Sequence, residues 1–174
     1  MSKIFISAND FQQDCFQLAN NLYKSTFIPD IVVGIWRGGS VPAIVIHEYL
    51  KYQGLDVLSN VITTKSYVGI GEQSENVKID ISSEVMSNLR ISNRILLVDD
   101  VVDSGKTIES IFQYFDQNQI QGEIKVASVY YKPNVSSIIP DYYIHQTDKW
   151  IVFPHELEGL SNNEIGNKGI LGLE

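Results

Sequence analysis

Ile95-Leu96-Leu97-Val98 constrains the fold of this chain more than any other stretch, because four apolar residues in succession leave no solvent face for a strand. A strand covered on both sides belongs to a parallel sheet with helices above and below it. The rest of the sequence keeps that rhythm. Strand-like runs at Lys3–Ile6, Ile31–Ile35, Asp56–Thr63, Arg94–Val98, Ile124–Tyr131, Tyr142–Ile144 and Trp150–Phe153 are interleaved with helix-period segments at Asp10–Lys24, Val41–Gln53 and Thr107–Asn118. The expected class is α/β, a mostly parallel sheet flanked by helices, in which ligands bind beyond the carboxyl ends of the strands. With 174 residues and 44% hydrophobic content, one core suffices without metals or cross-links. Residues 1–160 are expected to form that domain, and residues 161–174, rich in Asn and Gly, a tail that frays.

Charge and patterning exclude several classes of partner. The formal net charge is −8 and Lys and Arg are scattered singly, so neither nucleic acid nor an anionic membrane surface is an expected partner. No apolar stretch approaches the roughly 18–20 residues that cross a bilayer, and Met1-Ser2-Lys3 leads into a short alternating segment rather than a signal-peptide core. A cytoplasmic protein is expected. The single Cys15 falls in the helical stripe Phe11, Cys15, Leu18, Leu22, which makes it a small core residue rather than a nucleophile. His47 and His145 lack metal-ligand spacing and read as structural or surface residues. The polar segment Ser66–Asn76, with two glycines, reads as a mobile loop.

The chemistry concentrates in Val98-Asp99-Asp100-Val101-Val102-Asp103-Ser104-Gly105-Lys106-Thr107, a buried strand that ends in acids and turns into a helix. Amides at the start of that helix, with the hydroxyls of Ser104 and Thr107, suit a phosphate, and Gly105 permits its close approach. A nucleoside-triphosphatase loop needs Gly where Asp100 stands, which rules that class out. Asp99 and Asp100 can accept hydrogen bonds from vicinal hydroxyls, so the ligand read from these residues is a sugar phosphate. A second strand-turn-helix unit, Val32-Val33-Gly34-Ile35-Trp36-Arg37-Gly38-Gly39-Ser40-Val41-Pro42, offers backbone and a guanidinium to a further anion.

At Val98–Thr107 the sequence resembles the type I phosphoribosyltransferases, whose signature of an apolar strand, two acids, three residues and Ser/Thr-Gly-x-Thr it matches in full. The resemblance implies a parallel sheet with a small hood over the site, and 5-phosphoribosyl 1-diphosphate as a substrate. It places Asp99 and Asp100 at the ribose hydroxyls, Asp103, Ser104, Gly105, Lys106 and Thr107 around the 5′-phosphate, and Mg2+ at Asp100. Arg37 and Gly38 resemble the diphosphate loop of bacterial xanthine-guanine phosphoribosyltransferases. Ser66 and Tyr67 resemble the closing loop of the 6-oxopurine enzymes, although the segment has no Arg for the diphosphate and only Lys78 near its end.

By the same resemblance Lys132 donates to the purine 6-oxo group, Trp150 stacks on the base and Ile151 offers backbone groups to its edge. Asp103 becomes the acceptor at the purine's five-membered ring. His155 stands where some relatives carry a second Trp. The implied activity is transfer of a phosphoribosyl group to hypoxanthine, guanine or xanthine by a homo-oligomer, dimer or tetramer. The alternatives are a regulator of the same fold that binds the sugar phosphate without chemistry, and a pyrimidine enzyme, which leaves Lys132 with Trp150 unexplained.

Overall fold

The computed structural model describes residues 3–68 and 75–168. In chain order these form β1 (Lys3–Phe5), α1 (Ala8–Tyr23), β2 (Ile31–Trp36), α2 (Ser40–Tyr52), β3 (Leu58–Val68), β4 (Glu75–Asp80), α3 (Ser83–Ile91), β5 (Arg94–Val102), α4 (Lys106–Gln117), β6 (Glu123–Tyr131), β7 (Tyr142–Gln146), β8 (Trp150–Val152) and α5 (Asn162–Asn167). Six strands make one sheet in the order β4-β3-β2-β5-β6-β7, and β1 pairs with β8 in a separate parallel ribbon. All pairings in the large sheet are parallel except β3 with β4.

The apolar run of β5 is buried because successive side chains serve different layers. Leu96 and Val98 join Val32 in a core with Leu18, Leu22, Ile46 and Leu50 of α1 and α2. Ile95 and Leu97 join Ile31 and Val33 in a second core with Leu89, Ile108, Ile111 and Phe115 of α3 and α4. Residues 95–98 have no exposed surface, and full burial of such side chains contributes about 1.5–3 kcal/mol each. The helices start where short polar residues satisfy orphan amides. Ser7 Oγ accepts from the Asp10 amide at 3.0 Å to open α1, and Ser82 Oγ accepts from Val85 at 3.3 Å to open α3. Asp30 pins the base of the sheet, its Oδ2 accepting from the amides of Asn93 and Arg94 at 2.8 and 2.9 Å.

Three expectations are corrected, and one helix that the residue pattern did not suggest is added. Strand β5 runs on past Val98 to Val102, so the strand carries the two acids, as expected, and two further residues before the turn. Ser66, Tyr67 and Val68 end β3, and Glu75 and Asn76 begin β4, so both ends of the segment read as a loop are antiparallel strand; residues 69–74 lie outside the described residues. The alternation Val77-Lys78-Ile79-Asp80 is that of a half-covered edge strand, which polar composition disguises. Helix α3 is short and buries only Val85 and Leu89, too few for the periodicity to stand out. The start of the tail does not fray: Ser161 and Glu164 form a capping box on α5, and Lys168 Nζ donates to the carbonyls of Phe153, Pro154 and Glu156 at 2.7, 3.3 and 2.5 Å. Residues 169–174 lie outside the described residues.

Candidate active site

The sheet order reverses between β2 and β5, since β3 and β4 extend it on one side and β6 and β7 on the other. Helices α2 and α4 leave these two strands on opposite faces, which opens a crevice at their carboxyl ends where ligands of such sheets bind. Both strand-turn-helix units singled out in the sequence end there.

At the head of α4, Asp99, Asp103, Ser104, Gly105 and Thr107 line a cavity of about 70 Å³ together with Val101, Val102 and Ile108. That volume holds several water-sized bodies and therefore a phosphoryl group. Gly105 caps α4 with φ +84°, a left-handed conformation that strains any residue with a Cβ. A Cβ there would also stand 2.7 Å from Ser137 Oγ. Ser137 holds the turn through its amide, which donates to Ser104 O at 3.1 Å, with its hydroxyl oxygen 3.2 Å from the same carbonyl. Its hydroxyl donates to Glu109 at 2.6 Å. Among the described residues no side chain caps α4 apart from a long 3.4 Å contact between the Lys106 amide and Ser104 Oγ, so the positive end of its dipole is open to an anion.

The two acids of β5 are close but differently surrounded. Asp99 lines the cavity, and its Oδ1 accepts from the Asp100 amide at 3.0 Å. Asp100 is buried, with Oδ1 accepting from the Val101 amide at 2.8 Å and Oδ2 3.4 Å from His155 Nε2. Gly38, in the loop after β2, packs so tightly on it that a Cβ would overlap the carboxylate. Burial, reinforced by the negative charge of Asp100, holds the Asp99 carboxyl well above the ordinary carboxylate range. Adjacent carboxylate oxygens are the donors a hard cation takes, and a cation between them would relieve this repulsion. Among the described residues no group of three or more His, Cys, Asp or Glu gathers to cage a metal. The pair fits Mg2+ in the mode where one or two carboxylates hold it and substrate and water oxygens complete the shell.

A third group converges on Asp103. The register of β5 with β6 sets Val102 beside Tyr131, which brings the following residues together. Lys132 Nζ donates to Asp103 Oδ2 at 2.6 Å and lies 5.8 Å from the centre of the Trp150 ring. Lys132 is 7% exposed, unlike most strand-end lysines, whereas Trp150 is 52% exposed and so is not a core residue. Ile151 is buried and pairs with Ile4 in the β1–β8 ribbon, which fixes Trp150 at its place over Lys132.

Other expected site residues stand differently. Arg37 follows β2 as expected, but its Nη2 faces Glu158 Oε2 at 3.4 Å, both side chains being largely in solvent. Lys106 lines a larger groove of about 360 Å³ between α4 and β4, with Val77, Ile79 and Tyr114, rather than the small cavity. Ser66 and Tyr67 pair with Val77 and Asn76 in the hairpin; their side chains lie outside the described residues. Ser137 gave no signal in the sequence, and neither did the approach of His155 to Asp100, because both contacts span dozens of residues. His47 and His145 are structural, as expected, bonding to Val57 O at 3.0 Å and to Asp14 at 2.9 Å.

A doubly covered sheet with a small polar cavity at its switch point, flanked by acids and an exposed aromatic ring, is an architecture suited to a phosphorylated ligand. Residues 7–161 match the phosphoribosyl transferase domain family, and the chain belongs to it. It is 34% identical to the xanthine-guanine phosphoribosyltransferase of Cereibacter sphaeroides over 127 residues, which are 72% of this chain and 68% of that protein. The hypoxanthine-guanine phosphoribosyltransferase of Schizosaccharomyces pombe is 22% identical over 193 residues, covering 93% of both chains. Among solved structures, a purine phosphoribosyltransferase from Pyrococcus horikoshii superposes with a TM-score of 0.76 at 35% identity, over 92% of this chain and 99% of that one. A xanthine-guanine-hypoxanthine phosphoribosyltransferase from Helicobacter pylori shares the fold, with a TM-score of 0.70 at 20% identity over 97% of each chain.

Proposed function

We propose that the chain is a purine-salvage phosphoribosyltransferase that moves the 5-phosphoribosyl group from 5-phosphoribosyl 1-diphosphate to a ring nitrogen of hypoxanthine, guanine or xanthine. The products are a nucleoside 5′-monophosphate and diphosphate. The observation that carries this proposal is the double membership of Asp103, which lines the cavity at the head of α4 and pairs with Lys132 beneath Trp150. One residue thus joins an anion site to an aromatic platform. The sequence similarity to purine enzymes supports the choice of base.

In this assignment the loop from Asp103 to Thr107 surrounds the 5′-phosphate, with Ser104, Gly105, Thr107 and the Lys106 amide donating to it and Asp103 beside it, and Asp99 and Asp100 receive the ribose hydroxyls. Arg37 leaves Glu158 to meet the diphosphate beside Gly38, while Ser66 and Tyr67 lie on the hairpin that closes the site. Lys132 donates to the 6-oxo oxygen, Trp150 covers the face of the base, and the backbone of Ile151 meets its edge. The purine nitrogen bonds to ribose C1 as the bond from C1 to the diphosphate oxygen breaks. Positive charge then grows on the ribose next to Asp99 and Asp100; it favours the ionised form of the raised Asp99 carboxyl, and the two acids stabilise it. Asp103 takes the proton released from the five-membered ring. Asp100 would hold Mg2+ together with substrate oxygens, and the ion would supply positive charge against the leaving diphosphate. The proposal includes a dimer or tetramer in the cytoplasm, with residues 1–160 as the transferase domain.

The test is to mix the protein with Mg2+, 5-phosphoribosyl 1-diphosphate and each of the three bases, and to follow diphosphate release. Release with at least one base is expected. Tight binding of the sugar phosphate with silence for every base would make the protein a regulator instead.

A further inference from the structure

The turn after β8 presents His155, a side chain to which the function proposed above gives no task. Its ring lies 5.6 Å from that of Phe153, with planes 9° apart, and 6.0 Å from that of Phe11, so packing fixes the imidazole. The turn itself is clamped from below by Lys168, whose ammonium donates to three of its carbonyls. Held in this way, Nε2 stands 3.4 Å from Asp100 Oδ2. The other carboxylate oxygen is tied to the Val101 amide, and the Gly38 backbone closes the remaining side. Asp100 is therefore where three separate chain segments meet: the end of β5, the loop after β2 and the turn after β8.

We infer that His155 is a positioning residue that acts through Asp100, aiming its carboxylate at the ribosyl-diphosphate end of the site rather than reading the purine. This rests on the function proposed above and deepens it. The direction of the contacts decides between the two roles. The base platform is built from Lys132 and Trp150, whereas the polar tip of His155 is directed at the acid that lies against the diphosphate loop. Its N···O separation of 3.4 Å is long for a hydrogen bond, and contacts of this kind often tighten in a substrate complex. The consequence is that one imidazole couples the base-binding segment to the sugar-phosphate half of the site.

Two variants separate the contributions. His155→Phe keeps a ring against Phe153 and Phe11 but removes the nitrogen; His155→Gln supplies a donor without the ring. The measurements are calorimetric binding of 5-phosphoribosyl 1-diphosphate with Mg2+ in the absence of base, and steady-state KM for each of the three purines. His155→Phe is expected to weaken sugar-phosphate binding about five- to tenfold, with purine KM values and their ratios within about twofold of wild type and partial recovery in His155→Gln. A changed purine KM or base preference with unaltered sugar-phosphate binding would overturn the inference, as would equal losses in the two variants. Wild-type protein that releases no diphosphate with any base would instead strike at the function on which the inference rests.

Discussion

Asp103 carries two obligations. Half of its side chain is in solvent, yet its partner Lys132 is almost wholly withdrawn from water, so the carboxylate is what makes a buried ammonium tolerable. We expect Asp103→Asn to lower kcat by about 10²–10⁴-fold, the range for a lost general base, while sugar-phosphate affinity changes little. Comparing kcat with the calorimetric Kd checks this, and equal losses in both would remove Asp103 from the base side of the site. Trp150 offers a cleaner experiment because its half-exposed ring contributes little to the core. Stacking of about 1–3 kcal/mol per base means that Trp150→Ala should raise the purine KM by roughly 5–150-fold with an unshifted thermal midpoint. An unchanged KM would leave the ring without a ligand role. The acids and small residues of the loop after β5 were legible because they are contiguous. Lys132, Trp150 and Asp103 meet only across strand registers, so their proximity had to come from resemblance before it could come from distances.

The ends of the chain form a unit that local composition concealed. Helix α5 is joined to β1 by the Lys3–Glu164 pair at 2.6 Å, and β1 is paired with β8, the strand that carries Trp150. The Lys3 ammonium first, and then the Ser161 amide and hydroxyl, hold the Glu164 carboxyl down from 4.5 to about 2. A depressed carboxyl stabilises the docked helix above its unfolded pKa and loses that contribution as protons bind, so docking should weaken as pH falls from about 4.5 towards 2. Hydrogen exchange of the α5 amides across that window reads the effect. Glu164→Gln should abolish the pH dependence and leave exchange fast throughout; a flat wild-type profile would mean that the pair does not hold the helix. The tail reads as fraying because so few apolar residues follow Ser161 that no periodicity supports a helix there. The β3–β4 hairpin was hidden for a related reason, since an edge strand shows water half of its residues.

For the whole molecule, Cys15 reports on global opening. Burial first, then the negative charges of Asp14 and Asp100, push its thiol from 9.0 up to about 12. The folded protein thus keeps a proton that the unfolded chain releases, and stability should decline as pH rises from about 9 towards 12. At pH 8 a thiol reagent should modify Cys15 only as fast as the protein unfolds, and rapid labelling of native protein would contradict the packing of α1 on the sheet. The sequence by itself determined the layers and the place of the glycine-bearing turn into α4, because an uninterrupted apolar strand must be covered on both faces, and a turn of this kind exposes amides at one place. Only the tertiary structure decided which distant side chains complete that place: the strand order puts the switch point between β2 and β5, and the β5–β6 register delivers Lys132. The clamp on the last turn delivers His155. Contacts of this kind depend on registers and packing between segments far apart in the chain, and local residue patterns do not encode them.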